Sequence, residues 1–150
     1  IMYLVFPFFT YVKSSGLIGD ELPKTLFYAR IFADIAGRFA PRRKSLLVRD
    51  PYTLLVMSVF KLAVTVCFFL YLKSPDRFHH DFVPILIVVL IWGLGGYINT
   101  SANIMAPSMV DHSLVGRASA LLALIFQVAH FVGLVLAVVL AFALYGDIVG

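Results

Sequence analysis

The chain is short of charge. Of its 150 residues only 13% are Asp, Glu, Lys or Arg, and the uncharged stretches are long: none of the four types occurs from Phe82 to Val110 or from Ala118 to Tyr145. A soluble domain of this length scatters charge over its surface, so such runs exclude that class. Cysteine is nearly absent as well. Cys67 stands alone, which excludes an intrachain disulfide. There is no Walker, Rossmann or G-x-S-x-G pattern, and no nucleophile–base pair is recognisable, so the chain reads as a non-enzyme without a cofactor. Metal-ligand spacing is lacking too. His79-His80-Asp81 comes nearest, but adjacent side chains point apart and no partner cluster accompanies them, so the trio reads as an exposed loop and the metal set as none.

What is present is apolar. Hydrophobic residues make up 61% of the chain and aromatics 15%, with a mean hydropathy of +0.97. A bilayer core of about 30 Å needs about 20 helical residues, so each uncharged run can cross it. The pattern predicts an all-α integral membrane protein with four complete transmembrane helices at about 22–40, 52–72, 82–109 and 118–145. Residues 1–12 are apolar but too short for a span, and are expected to be the tail of a partial one. The chain is therefore expected to be a fragment. The joint "RFAPRRKSLLVRD" holds Arg38, Arg42, Arg43, Lys44 and Arg49 against one acid, whereas "VKSSGLIGDELPK" and "KSPDRFHHD" balance their bases with acids. By the positive-inside rule the loop 41–50 is cytoplasmic and the C-terminal Gly146–Gly150 lies outside. The basic cluster is read as this topology signal and not as a nucleic-acid surface.

Charges inside the spans then stand out. Arg30, Asp34 and Arg38 recur every four residues and so share one helix face. A charge at a span's centre costs about 2.5–3.5 kcal/mol on insertion scales. Leu22, Leu26, Phe27, Ile31, Phe32, Ile35 and Phe39 return only about 0.3–0.6 kcal/mol each, so the 22–40 helix is marginal in lipid alone. Its charged face must look into protein or a watery cavity. Asp34 is expected to pair with Arg30, Arg38 or both. Lys61, at the middle of its span, is expected to face the bundle and find an acceptor, with Asp34 one candidate. The stretch "WGLGGYINTSANIMAPSMV" starts with Gly93, Gly95 and Gly96, which permit close helix contact, and continues with a band of Tyr97, Asn99, Thr100, Ser101 and Asn103 before Pro107. Pro107 is expected to bend the helix. Gly96/Thr100 and Ala102/Ala106 form a small-residue seam. In the last span Gln127 and His130 are the strongly polar groups, with His130 expected to bond a neighbouring helix.

The ordered motifs resemble a known family. "FPFFTYVKSS" followed by "DIAGR", then "GGYINTSANIMAP" and "GRASALLALIFQVAHFVGLVLA", are similar to the C-terminal portion of equilibrative nucleoside transporters, from the end of helix 7 to helix 11. The resemblance implies a partial major-facilitator-like bundle, whose partners are the lipid bilayer and the missing N-terminal helices of the same transporter. It implies facilitated transport of a nucleoside or nucleobase by alternating access, in the plasma membrane. It assigns Arg38 to the sugar of the substrate and Asp34 to orienting Arg38. Arg30 has no counterpart in the animal members. Together with the residues read above, the expected substrate-binding set is Asp34, Arg38, Arg30, Tyr97, Asn99 and Lys61. Two other readings stay open: a non-transporting truncated membrane protein, and a carrier of the same architecture for another polar solute.

Overall fold

A computed structural model describes residues 2–75 and 80–146. These are helical, with no strand among them. The elements are α1 (Met2–Val5), α2 (Leu22–Phe39), α3 (Pro51–Leu72), α4 (Phe82–Met105) and α5 (Val115–Tyr145). Short 3-10 turns extend α1 over Phe6–Tyr11, α2 over Ala40–Arg42 and α4 over Ala106–Met109.

Local chemistry sets these boundaries. Asp50 caps α3: its carboxylate accepts from the amides of Tyr52 (3.3 Å) and Thr53 (2.9 Å) and from the Thr53 hydroxyl (2.7 Å), with Pro51 at the first helical position. The Thr53 hydroxyl bond is the main reason that the Asp50 carboxyl sits below its usual range. At the far end of α5, Gly146 takes φ 78° and returns its N–H to the Phe142 carbonyl, a left-handed cap that favours glycine. Pro107 marks the end of the α-helical part of Phe82–Met109. The α-helical ladder stops at Met105 and tightens into 3-10 geometry, and the Ser108 hydroxyl takes the Met105 carbonyl at 2.7 Å.

Among the described residues, three helical stretches are long and apolar enough to cross a membrane: Pro51–Leu72, Phe82–Met109 and His112–Tyr145. The α2 helix is not among them. Its 18 residues have the length, at about 1.5 Å each, but Lys24, Arg30, Asp34 and Arg38 interrupt its apolar surface. Burial follows the pattern of a lipid-facing bundle. Large side chains such as Phe32, Phe60, Leu70 and Phe131 are exposed, and the residues α5 buries are the small Gly133, Ala137 and Ala141, four apart. The predicted C-terminal placement of residues 147–150 lies outside the described residues, as does His79 of the expected exposed loop.

The 2–12 segment contains a short apolar helix, Met2–Tyr11, packed into the bundle. Pro7 turns it into a 3-10 plug, and Val5, Phe8, Phe9 and Val12 are among the most buried side chains described. Phe8 meets Phe69 edge-on at 5.1 Å and Phe9 meets Trp92 at 5.4 Å, while Tyr11 stacks on Tyr145 at 4.0 Å. One short segment thus ties α3, α4 and α5 together at the end opposite the basic loop.

Asp81 locks that same end, and here the expectation of an exposed trio is corrected for one member: His80 is exposed, but Asp81 is not. Asp81 is only 2% exposed. Its carboxylate accepts from the Ser14 hydroxyl (2.9 and 3.0 Å) and from the amides of Ser15 (2.6 Å) and Ile18 (2.7 Å), pinning the 13–18 loop to the start of α4. Burial by itself would push this carboxyl's pKa up. The Ser15 and Ile18 amides and the Ser14 and Ser15 hydroxyls outweigh it and hold the pKa below its ordinary value. A depressed folded-state pKa contributes stability that is present above the unfolded value and lost as pH falls through the folded one. The loop should therefore stay docked at neutral pH and release only in acid below the ordinary carboxylate range. Asp81→Asn should release it at every pH, seen as faster amide exchange at Ser15 and Ile18; unchanged exchange would show that the carboxylate is not what holds the loop.

Candidate functional site

Helix spacing brings the α2 charges to one face, and that face meets α4 at unusually short range. A Cβ on Gly37 would fall on the Gly93 carbonyl, and one on Gly96 would lie 2.6 Å from the Asp34 carbonyl oxygen. Glycine at these positions is what lets the two backbones approach, so the side chains of Asp34 and Arg38 sit beside α4 and not in open lipid.

Asp34 accepts from Arg38 Nε at 2.8 Å through Oδ2. Its other oxygen, Oδ1, is buried without a hydrogen-bond partner. The Arg38 side chain is 46% exposed and that of Asp34 24%, so this pair is reachable from one side. Because the bond uses Nε, both terminal nitrogens of the guanidinium remain for another acceptor. Arg30 does not join the pair. Its guanidinium lies over the rings of Phe6 (4.3 Å), Phe27 (4.9 Å) and Trp92 (5.9 Å). Of the expected alternatives, Asp34 takes Arg38, and the aromatic faces take Arg30.

Arg30, Asp34 and Arg38 line a cavity of about 240 Å³, closed on other sides by Trp92, Phe126 and His130. A second cavity, about 300 Å³, is lined by Ser58 and Lys61 of α3 and Asn99 of α4. Met2, Tyr3, Phe126 and His130 border both and together separate them, with the His130 ring edge-on to Tyr3 at 4.6 Å. A third space of about 650 Å³ continues past Asn99 to Asn103 and Gln127. The His130 imidazole bonds through Nδ1 to the Phe126 carbonyl of its own helix, not to a neighbouring one as expected.

The expected site residues are thus divided. Arg30, Asp34 and Arg38 share the first cavity; Lys61 and Asn99 share the second, across that common border. Lys61 is half-buried and forms no ion pair among the described residues; its Nζ points at the Gly95 backbone, where a Cβ would come within 2.8 Å of it. Tyr97 borders none of these spaces. Its hydroxyl donates to the Leu46 carbonyl (2.5 Å) and accepts from the Val48 amide (3.2 Å), which clamps the basic loop onto α4. Asn99 is braced by Asn103, whose Nδ2 donates to its carbonyl oxygen at 2.8 Å and to its Oδ1 at 3.2 Å. Sequence reasoning missed Tyr3, Trp92 and Phe126 as lining residues, because nothing separates three aromatics from the rest in a chain so rich in them. His130 carried a signal, as the lone imidazole in a charge-free span, but its position between two cavities depends on how α5 packs against α1. Among the described residues no group of three His, Cys, Asp or Glu side chains is placed to hold a metal ion. Comparison with family models, with curated proteins and with solved structures finds no match to this chain.

Proposed function

We propose that the chain is part of a membrane carrier for nucleosides or nucleobases, working by facilitated transport and alternating access, with the partners implied by the resemblance being N-terminal helices of the same transporter. The observation that carries this reading is the Asp34–Arg38 pair, which lines a cavity with the guanidinium held through Nε, in a bundle with three helices among the described residues fit to cross a bilayer. A ligand hydroxyl or ring N–H donated to Asp34 Oδ2, and a ligand oxygen accepting from the Arg38 terminal nitrogens, would complete the site.

On this reading α2 is a fourth span. Lys24, paired with Glu21 at 2.9 Å, stands at its first turn near the interface, so only Arg30 and Asp34 lie at mid-depth, and both face the cavity. The architecture is a partial major-facilitator-like bundle in the plasma membrane, with the 41–50 loop cytoplasmic and the C-terminus outside. The plug at 2–12 and the Asp81 lock support a state closed at the outer end, and the cavities run from mid-depth toward the basic loop.

In vesicles, the carrier containing this chain should take up labelled uridine saturably, and adenosine and uracil should compete where glucose does not. A cysteine at Ser45 should react with impermeant reagent only from the cytoplasm, and one at Ser74 only from outside. Competition by sugars alone would move the carrier to another solute; absence of any saturable uptake would leave a non-transporting membrane protein; reversed labelling would invert the orientation.

A further inference from the structure

The cavities hold more positive charge than negative. Arg30 and Arg38 line the first and Lys61 the second, against Asp34 alone. Asp34 is taken by Arg38. The other acids described stand at helix ends or in joints: Asp20 and Glu21 before α2, Asp50 capping α3, Asp81 in its loop lock, Asp111 before α5. Arg30 and Lys61 therefore form no close ion pair with a carboxylate among the described residues, although the Asp34 charge still acts on Lys61.

Arg30 is also held in a particular way. Three aromatic faces stabilise a guanidinium through their quadrupoles without cancelling its charge, and they restrict where its donors can point. A planar fork so held suits a carboxylate or other delocalised anion. In the same cavity, Asp34 Oδ2, bonded once by Arg38, keeps a lone pair for a further donor. A cargo that answers both has a negative group adjacent to an N–H, within a single small ring system that the first cavity can hold.

Resting on the transport reading above, we infer that the preferred cargo is an anionic heterocycle, a pyrimidine or purine bearing a carboxylate or an ionised ring nitrogen, with its negative group on Arg30 and a ring N–H on Asp34. Lys61, across the border shared by the two cavities, adds a second attraction for the same charge.

The probe is orotate, whose carboxylate adjoins a ring N–H, compared with neutral uracil in the carrier containing this chain. Labelled orotate and labelled uridine uptake are measured separately, and each unlabelled base is titrated against them. Orotate should compete at about tenfold lower concentration than uracil, and Arg30→Gln should erase that ratio. Arg30→Lys, which keeps the charge but loses the planar fork, should retain only part of it. A purely structural Arg30 would lower both uptakes in parallel and leave the ratio unchanged, which overturns the inference. Uridine uptake that orotate inhibits no better than uracil overturns it while the nucleoside reading stands. Orotate uptake without uridine uptake supports it and overturns the nucleoside reading; neither uptake overturns both.

Discussion

Uptake should fall by about tenfold to a hundredfold when Arg38 is replaced by lysine in the carrier that contains this chain. Lysine keeps the charge and reaches a similar depth, but an ammonium is a point donor. It cannot bond Asp34 through one edge and a ligand through another, as a guanidinium anchored by Nε can. Hydrogen bonds to charged groups contribute about 1.5–3 kcal/mol, and each 1.4 kcal/mol is tenfold. Asp34→Asn should act in the same direction for a different reason. The amide carries no charge to hold the Arg38 guanidinium, and it would present an N–H on one edge where the carboxylate offers only acceptors. Surface expression by impermeant biotinylation and initial uptake rate, measured together, separate loss of transport from loss of protein. If both variants reach the membrane and transport at the parental rate, the pair is a structural clasp and the site lies elsewhere.

How much of this was legible in the sequence depends on whether the signal was local. The helix boundaries were, because charge-free runs, Asp50-Pro51 and Pro107 act within a turn or two of themselves: the expected 52–72 and 82–109 match the observed Pro51–Leu72 and Phe82–Met109. The four-residue spacing of Arg30, Asp34 and Arg38 likewise fixed their shared face. Partner choice was not legible. Asp34 has bases one turn away on both sides, and what decides between them is Phe6 and Trp92, brought over Arg30 from other elements. Tyr97 was grouped with Asn99 as one polar band, yet the two are about 200° apart around a helix; one meets the basic loop and the other a cavity. Asp81 was read as exposed because a loop acid usually is. The donors that bury it lie more than sixty residues away in the chain, and no spacing rule reaches that far.

Gly37→Ala should be the most damaging small substitution in the bundle. It adds one methyl group, yet that carbon would fall on the Gly93 carbonyl, which is backbone and cannot swing aside as a side-chain end could. The α2 and α4 helices would have to separate, and α2 packs more extensively on α4 than on any other described element. Overpacking costs about 1–3 kcal/mol and occasionally more. Here it would also move Asp34 and Arg38 away from the rest of the first cavity, so binding should fail along with stability. Gly93→Ala is the control. On the opposite wall of the same crossing its Cβ would meet nothing nearer than the Ala33 carbonyl oxygen at 3.7 Å, an ordinary contact. A general small-residue requirement would make the two substitutions equally harmful, whereas the geometry makes them unequal: Gly37→Ala should lower the detergent-solubilised protein's unfolding temperature by several degrees or abolish its monodisperse elution, and Gly93→Ala should behave as the parent. Equal behaviour of the pair would mean that α2 and α4 do not cross at Gly37, and the cavity built on that crossing would have to be redrawn.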